Sequence, residues 1–296
     1  MSRRKVILVT GAPRSGTTVV GEYLLSSWRI RELYEPMNVN VGDRSIRNQF
    51  EVPGSQDFPA AALDDLHDRI VRGRLRLRRA NNARRNRYLN RTNRTMLAAN
   101  VAPFASHLIW KDPFAFFCAP QLARKGVPVI VTVRDHLSLV GSFKRMEWSA
   151  PVASLSQRMR EAGLPVSDDI FAQCQTAEGH AYTGALMWHL LHSALVGWME
   201  AGEPLTVLEN TELLDNPAQA AATLTKVTGI PVTIERQEEP QDTQPDADLP
   251  TKAHIKNRDA KSITDYWRKV LSDEEVEQTL AINAELMERL RAALGS

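Results

Sequence analysis

The stretch Lys5 to Thr18, KVILVTGAPRSGTT, constrains this chain more than any other. Val6 to Thr10 is largely β-branched and reads as a buried parallel strand, Gly11 opens a tight turn, and Thr18 to Ser27 is helical in pattern. Gly11 and Gly16 stand at the G-x-x-x-x-G spacing of a phosphate cradle, in which glycines let backbone N–H groups converge on an anion beside a helix N-terminus. Thr18 occupies the hydroxyl position of that cradle, but Thr17 stands where a nucleotide triphosphatase places its lysine. The nearest cation is Arg14, inside the loop. The loop therefore reads as an anion site with one fixed positive charge, without the lysine or an evident downstream magnesium aspartate of an ATP or GTP enzyme. A plain strand-to-helix turn with no ligand is the alternative.

The rest of the chain repeats the strand-then-helix pattern. Ile30 to Tyr34 reads as a second strand ending in Glu35-Pro36, which puts Glu35 on the same rim as the loop. Leu63 to Asn100 is helical in pattern and carries ten arginines between Arg72 and Arg94 with no acidic residue. Such a run is a solvated face, or a dock for an anionic acceptor or an anionic membrane surface. Nucleic acid is the weakest partner, because Tyr88 is the one aromatic residue in the run.

His107 to Trp110, Val129 to Val133 and Leu205 to Leu208 read as further strands, with Lys111 following the first and Arg134-Asp135 the second. Helices are expected over Phe114 to Lys125, from Arg134 through Ser142 and Arg145, over Thr176 to Ala201, and from Asn216 to Thr228. His180, His189 and His192 lie in the third of these among leucines and tryptophans, where core packing explains them better than a metal. The alternation predicts an α/β fold of P-loop type with three layers, a central parallel sheet of about five strands and helices on both faces. One domain is expected over residues 1–296, with an arginine-rich insertion at about 60–100 and a lid loop at about 235–261. Ser272 and Glu275 form a capping box for the last helix.

With 43% hydrophobic and 24% charged residues the composition is that of an ordinary globular chain. No apolar run approaches the roughly 20 residues that span a bilayer. The basic start, Met1 to Lys5, leads straight into strand and loop rather than into a signal peptide, so a cytoplasmic address is expected. Cys118 and Cys174 are too few for a disulfide framework or metal cage and read as buried thiols.

Taken together, three separated stretches resemble the sulfotransferases that use 3'-phosphoadenosine 5'-phosphosulfate, PAPS. Gly11 to Thr18 is similar to the family's 5'-phosphosulfate loop in its arginine form, found among carbohydrate-type and bacterial members. Val129 to Arg145, VIVTVRDHLSLVGSFKR, is similar to the 3'-phosphate segment, and Ile263 to Leu271, ITDYWRKVL, to a tryptophan-arginine helix near the end of bacterial members. The resemblance implies that Arg14 bonds the phosphosulfate, that backbone N–H groups of Ser15, Gly16, Thr17 and Thr18 with the threonine hydroxyls hold the 5'-phosphate, and that Arg134 and Ser142 hold the 3'-phosphate. It implies Lys111 near the transferred group and Glu35 as catalytic base, with PAPS as co-substrate, PAP as product and no metal. Its acceptor is a hydroxyl on a sugar, glycolipid or other alcohol.

Each residue also has an alternative: an arginine partner for Glu35, a salt bridge with Asp135 for Arg134, and His136 or His107 as the base. The phenol- and steroid-type histidine shortly after the third-strand lysine is missing here, where Asp112, Pro113 and Phe114 follow Lys111, and the glycine-rich closing motif is missing too, leaving Lys252 to Lys261 to cover the nucleotide. The competing functions are a P-loop kinase for a small molecule and a non-catalytic nucleotide-binding adaptor for an anionic surface.

Overall fold

The computed structural model describes residues 4–78, 90–102, 104–234 and 265–295. Five strands, β1 (Lys5–Gly11), β2 (Ile30–Tyr34), β3 (His107–Lys111), β4 (Val129–Val133) and β5 (Thr206–Glu209), pair in the order β2-β3-β1-β4-β5. Every pairing is parallel. The helices are α1 (Thr17–Tyr23), α2 (Ala60–Arg72), α3 (Arg91–Val101), α4 (Ala119–Arg124), α5 (His136–Arg145), α6 (Val152–Glu161), α7 (Asp168–Thr176), α8 (His180–Glu200), α9 (Glu212–Asp215), α10 (Pro217–Thr228) and α11 (Asp273–Gly295). From β1 the chain runs outward to β2, returns to β3, and then crosses β1 to reach β4 and β5. The order reverses beside β1, whose carboxyl end therefore opens into the crevice where α/β sheets take ligands.

Strand alternation builds the two outer layers. Val6, Leu8, Leu33, Leu108, Trp110, Val129 and Val131 point to one face and join a large core with Leu66 of α2, Met96 of α3 and Leu186 and Leu190 of α8. Ile7, Val9, Ile30, Ile109 and Ile130 point to the other, against Val20 and Leu24 beside α1 and Leu224 of α10. A sheet buried on both faces accounts for the nearly continuous apolar runs of its strands.

The expected α/β architecture is the one observed, with local corrections. The stretch 63–100 is not one helical run. Gly73 adopts a left-handed φ of 65° and caps α2, after which Arg76 O accepts from Arg44 N at 2.9 Å and the chain leaves the helical path. Phe114 to Lys125 begins as a 3-10 helix, Pro113–Cys118, because Asp112 caps the Phe114 N–H and Pro113 follows at the first position. The fifth strand starts one residue late, since Leu205 N is held by Glu203 O at 2.7 Å in the preceding turn. Thr176 ends α7, and Gly179 with φ 83° precedes α8. The Ser272–Glu275 capping box forms, with Glu275 N on Ser272 Oγ and Ser272 N on Glu275 Oε2. Cys118 and Cys174 are buried thiols. The lid loop at 235–261 and the covering segment Lys252 to Lys261 lie outside the described residues. No described helix is long and apolar enough to cross a membrane.

Helix α8 runs through the core; His192 packs in it as expected and His189 is half-buried beside it, whereas His180 stands at the helix start with its Nδ1 3.0 Å from Ser149 Oγ. His192 is stacked on Trp188 with ring centroids 4.0 Å apart, and its Nδ1 donates to Trp188 O at 2.8 Å. Burial lowers the pKa of His192 from 6.5 to about 3 and also lowers those of His136 and His189. The unfolded chain binds these protons first, so the stability that neutral histidines contribute is complete above pH 6.5 and lost as pH falls toward 3. Chemical denaturation of His192→Gln across that window should give a shallower acid limb than the parent protein. A parallel limb would remove His192 from the acid transition.

Candidate active site

The carboxyl rim of the sheet is built around the loop between β1 and α1. Gly11 has φ 150°, and a Cβ there would lie 2.3 Å from Thr132 O, so the loop can fold against β4 only without a side chain. Gly16 has φ 103°, and a Cβ would meet Asn210 Oδ1 at 2.8 Å. Val19 and Val20 both donate to Gly16 O, which starts α1 and directs its first N–H groups out of the loop. Ser15, expected among the phosphate ligands, has another task. Its N–H donates to Ala12 O at 3.1 Å, and its buried hydroxyl donates to Ala12 O and touches Thr132 Oγ1, both at 2.6 Å. Ser15 thus closes the loop and leaves Gly16, Thr17 and Thr18 at the head of the helix.

Arg14 is held at φ 73°, a conformation that costs an L-residue about 1–3 kcal/mol and persists only where the surroundings impose it. Its Nε donates to Ser142 Oγ at 3.1 Å, while Arg134 Nη1 donates to Arg14 O at 3.0 Å. Residues separated by more than a hundred positions are thus in direct contact at the rim. Asp135 does a different job from the salt bridge considered for it: its carboxylate caps α5, accepting from Leu137 N and Ser138 N.

The tryptophan-arginine segment reaches the same place. Tyr266 donates its hydroxyl to Ser138 O at 2.8 Å and lies under the guanidinium groups of Arg134 and Arg145, 5.8 and 5.2 Å from its centroid. Trp267 packs so closely on α5 that a Cβ at Gly141 would lie 2.8 Å from its own. Arg145 Nε and Nη1 are buried without a hydrogen-bond partner among the described residues.

A second cluster sits at the ends of β2 and β3. Glu35 N donates to Lys111 O at 2.9 Å, and Glu35 takes a left-handed φ of 46°. Its Oε1 faces Lys111 Nζ at 3.2 Å and its Oε2 accepts from Asn38 Nδ2 at 3.1 Å, so the partner is a lysine and not the arginine considered as its alternative. The Lys111 side chain is 2% exposed, with its ammonium 3.8 Å from the Tyr34 ring centroid and its stem under Gly21 of α1. Burial lowers its pKa, and the Glu35 charge opposes that shift.

Asp112 was not foreseen as part of the site. Fully buried, it accepts from Met37 N at 2.6 Å, Phe114 N at 2.9 Å and Trp110 Nε1 at 3.3 Å, fixing the turn that carries Glu35. Burial raises its pKa to about 7. Asp112 O accepts from Thr10 Oγ1 at 2.8 Å, which joins this cluster to the loop. Of the two histidines considered as bases, His107 begins β3 and lines a cavity of about 820 Å³ with Lys5 and Lys125 at the amino end of the sheet, far from this rim. His136 is buried against Trp188, with ring centroids 5.4 Å apart, and neither ring nitrogen has a partner among the described residues. Among the described residues no three His, Cys, Asp or Glu side chains are grouped to hold a metal ion.

No protein-family model matches the chain, and no curated protein matches it. Among solved structures, the chain is similar to the sulfotransferase domain from the curacin biosynthetic pathway, at 17% identity over 95% of this chain and 98% of that one, with a TM-score of 0.43.

Proposed function

We propose that this protein moves a sulfuryl group from PAPS to an acceptor hydroxyl, on a sugar, glycolipid or other alcohol, by in-line transfer. One observation carries the reading: Arg14, Ser142 and Arg134, drawn from two motifs far apart in sequence, meet at the carboxyl end of β1. A donor with phosphates on the 3' and 5' positions of one ribose needs two cationic groups near each other in one crevice. The loop head with Arg14 supplies one, and Arg134 with Ser142 and Arg145 the other. The residues present fit the donor.

Arg14 and the start of α1 would meet the negative charge that grows on the bridging oxygen as the sulfuryl group leaves. Glu35 would accept the proton of the acceptor hydroxyl. Its two oxygens offer four acceptor sites, of which Lys111, Asn38 and the Tyr34 hydroxyl use three, so one remains for an incoming O–H. Lys111 would hold Glu35 in place and add positive charge near the moving group. Sulfuryl transfer asks for alignment and charge neutralisation rather than a metal-bound nucleophile.

A thermal shift experiment separates this reading from a P-loop kinase. PAP without magnesium should raise the melting temperature by several degrees at a hundredfold excess over its dissociation constant, about 2.7 kcal/mol of linkage, while ATP with magnesium should do little. The reverse ranking would favour the kinase. Transfer of labelled sulfate from PAPS to any acceptor would exclude the non-catalytic adaptor.

A further inference from the structure

Seven large hydrophobic side chains are exposed among the described residues, and four of them belong to one corner of the molecule: Trp28 at 62%, Leu97 at 53%, Val101 at 65% and Phe104 at 49%. Trp28 precedes β2 and Phe104 precedes β3, and their ring centroids lie 5.6 Å apart. Ser106 N donates to Arg29 O at 2.8 Å, which fastens the two connections together. Leu97 and Val101 stand one turn apart on the outward face of α3, continued toward its start by the exposed Arg94 and Arg91. Helix α3 covers the outer edge of β2, where Thr95 Oγ1 accepts from Tyr34 N at 3.0 Å.

The charges on this corner are predominantly positive. The guanidinium of Arg29 lies 5.2 Å from the Trp28 centroid and that of Arg31 lies 5.4 Å from Phe104. Glu32, the acidic residue of β2, is already paired with Arg91 at 2.7 Å. Protruding aromatic and aliphatic tips, set among arginines that stack on them, have the chemistry of a membrane-surface contact. The tips enter the boundary between headgroups and acyl chains, and the arginines meet lipid phosphates. A second copy of the chain is a poor occupant. Two-fold pairing through this patch would bring the arginines of one copy, Arg29, Arg31 and Arg94, up against the same positive patch of the other.

We propose that the corner formed by Trp28, Phe104 and the outward face of α3 docks the protein onto an anionic bilayer. The proposal is independent of the reaction assigned to the rim. It is tested by sedimenting the full chain with phosphatidylcholine vesicles containing or lacking about one-third phosphatidylserine. The full chain should bind the anionic vesicles only, and added salt should weaken the binding.

Arg29→Gln with Arg31→Gln, and separately Trp28→Ala with Phe104→Ala, should each weaken binding about tenfold or more. Trp28, Arg29 and Phe104 are exposed and Arg31 is half-buried, so these side chains can be replaced without opening the core, and circular dichroism with an unchanged melting temperature would verify the fold of both variants. Failure to bind anionic vesicles, or binding unchanged in both double variants, would overturn the proposal. So would a concentration-dependent dimer in sedimentation velocity that the Trp28→Ala and Phe104→Ala pair abolishes, since the apolar tips would then belong to a self-association surface.

Discussion

Arg14→Ala is expected to lower sulfuryl transfer by about 10²–10³ in turnover, roughly 3 kcal/mol of lost stabilisation, and to weaken PAP binding as well. Both losses follow from one placement. Arg14 is fixed at a positive φ, its Nε is on Ser142 and its carbonyl accepts from Arg134, so its backbone and side chain join the two ends of the proposed donor site. Alanine removes the cation and the contact with Ser142, though the carbonyl acceptor remains. Arg14→Lys should recover part of the charge but not the planar fork, and therefore less of the affinity than of the rate. Isothermal titration with PAP alongside steady-state kinetics measures the two losses. An Arg14→Ala protein with parental turnover would remove the loop from the chemistry.

Glu35→Gln should abolish measurable transfer, a loss of about 10²–10⁴, while leaving PAP affinity within a factor of a few. The amide is close to isosteric and can still accept from Asn38, but it neither takes up a proton nor balances the buried Lys111 ammonium. That last effect gives a control. The Lys111 charge, left unpaired at 2% exposure, should make the variant less stable than the parent, and Lys111→Met combined with Glu35→Gln should restore stability without restoring turnover. Equal loss of PAP affinity in Glu35→Gln would remove Glu35 from the base role, because the residue would then be supporting the donor site.

Much of the arrangement was legible in the residues themselves. β-Branched runs and the glycine loop mark all five strands to within one residue at either end, because a strand buried on both faces leaves little freedom in its composition. That Arg14, Arg134 and Ser142 share one rim follows from parallel strands ending there, and their service to one donor is what the family resemblance implies; the direct contacts of Arg14 with Ser142 and Arg134 are visible only in the fold. Asp112 was read only as one of the residues that follow Lys111 where a histidine is missing. Its task, holding Met37 N across a turn, depends on a contact 75 positions away that no local pattern encodes. Ser15, read as a backbone donor to the 5'-phosphate, gives its N–H to Ala12 O instead, while Thr132 Oγ1 of a neighbouring strand holds its hydroxyl. The corner at Trp28 and Phe104 was invisible because two unremarkable loop residues become a patch only when β2 and β3 are paired.

Asp112 carries a consequence for how the protein responds to its surroundings. A carboxyl group titrating near neutrality anchors the Met37 amide. Gaining or shedding that proton changes how firmly the bend behind Glu35 is clamped, at the acidity where cells operate. An inflection near pH 7 in a rate profile would then report the clamp rather than the proton acceptor it steadies.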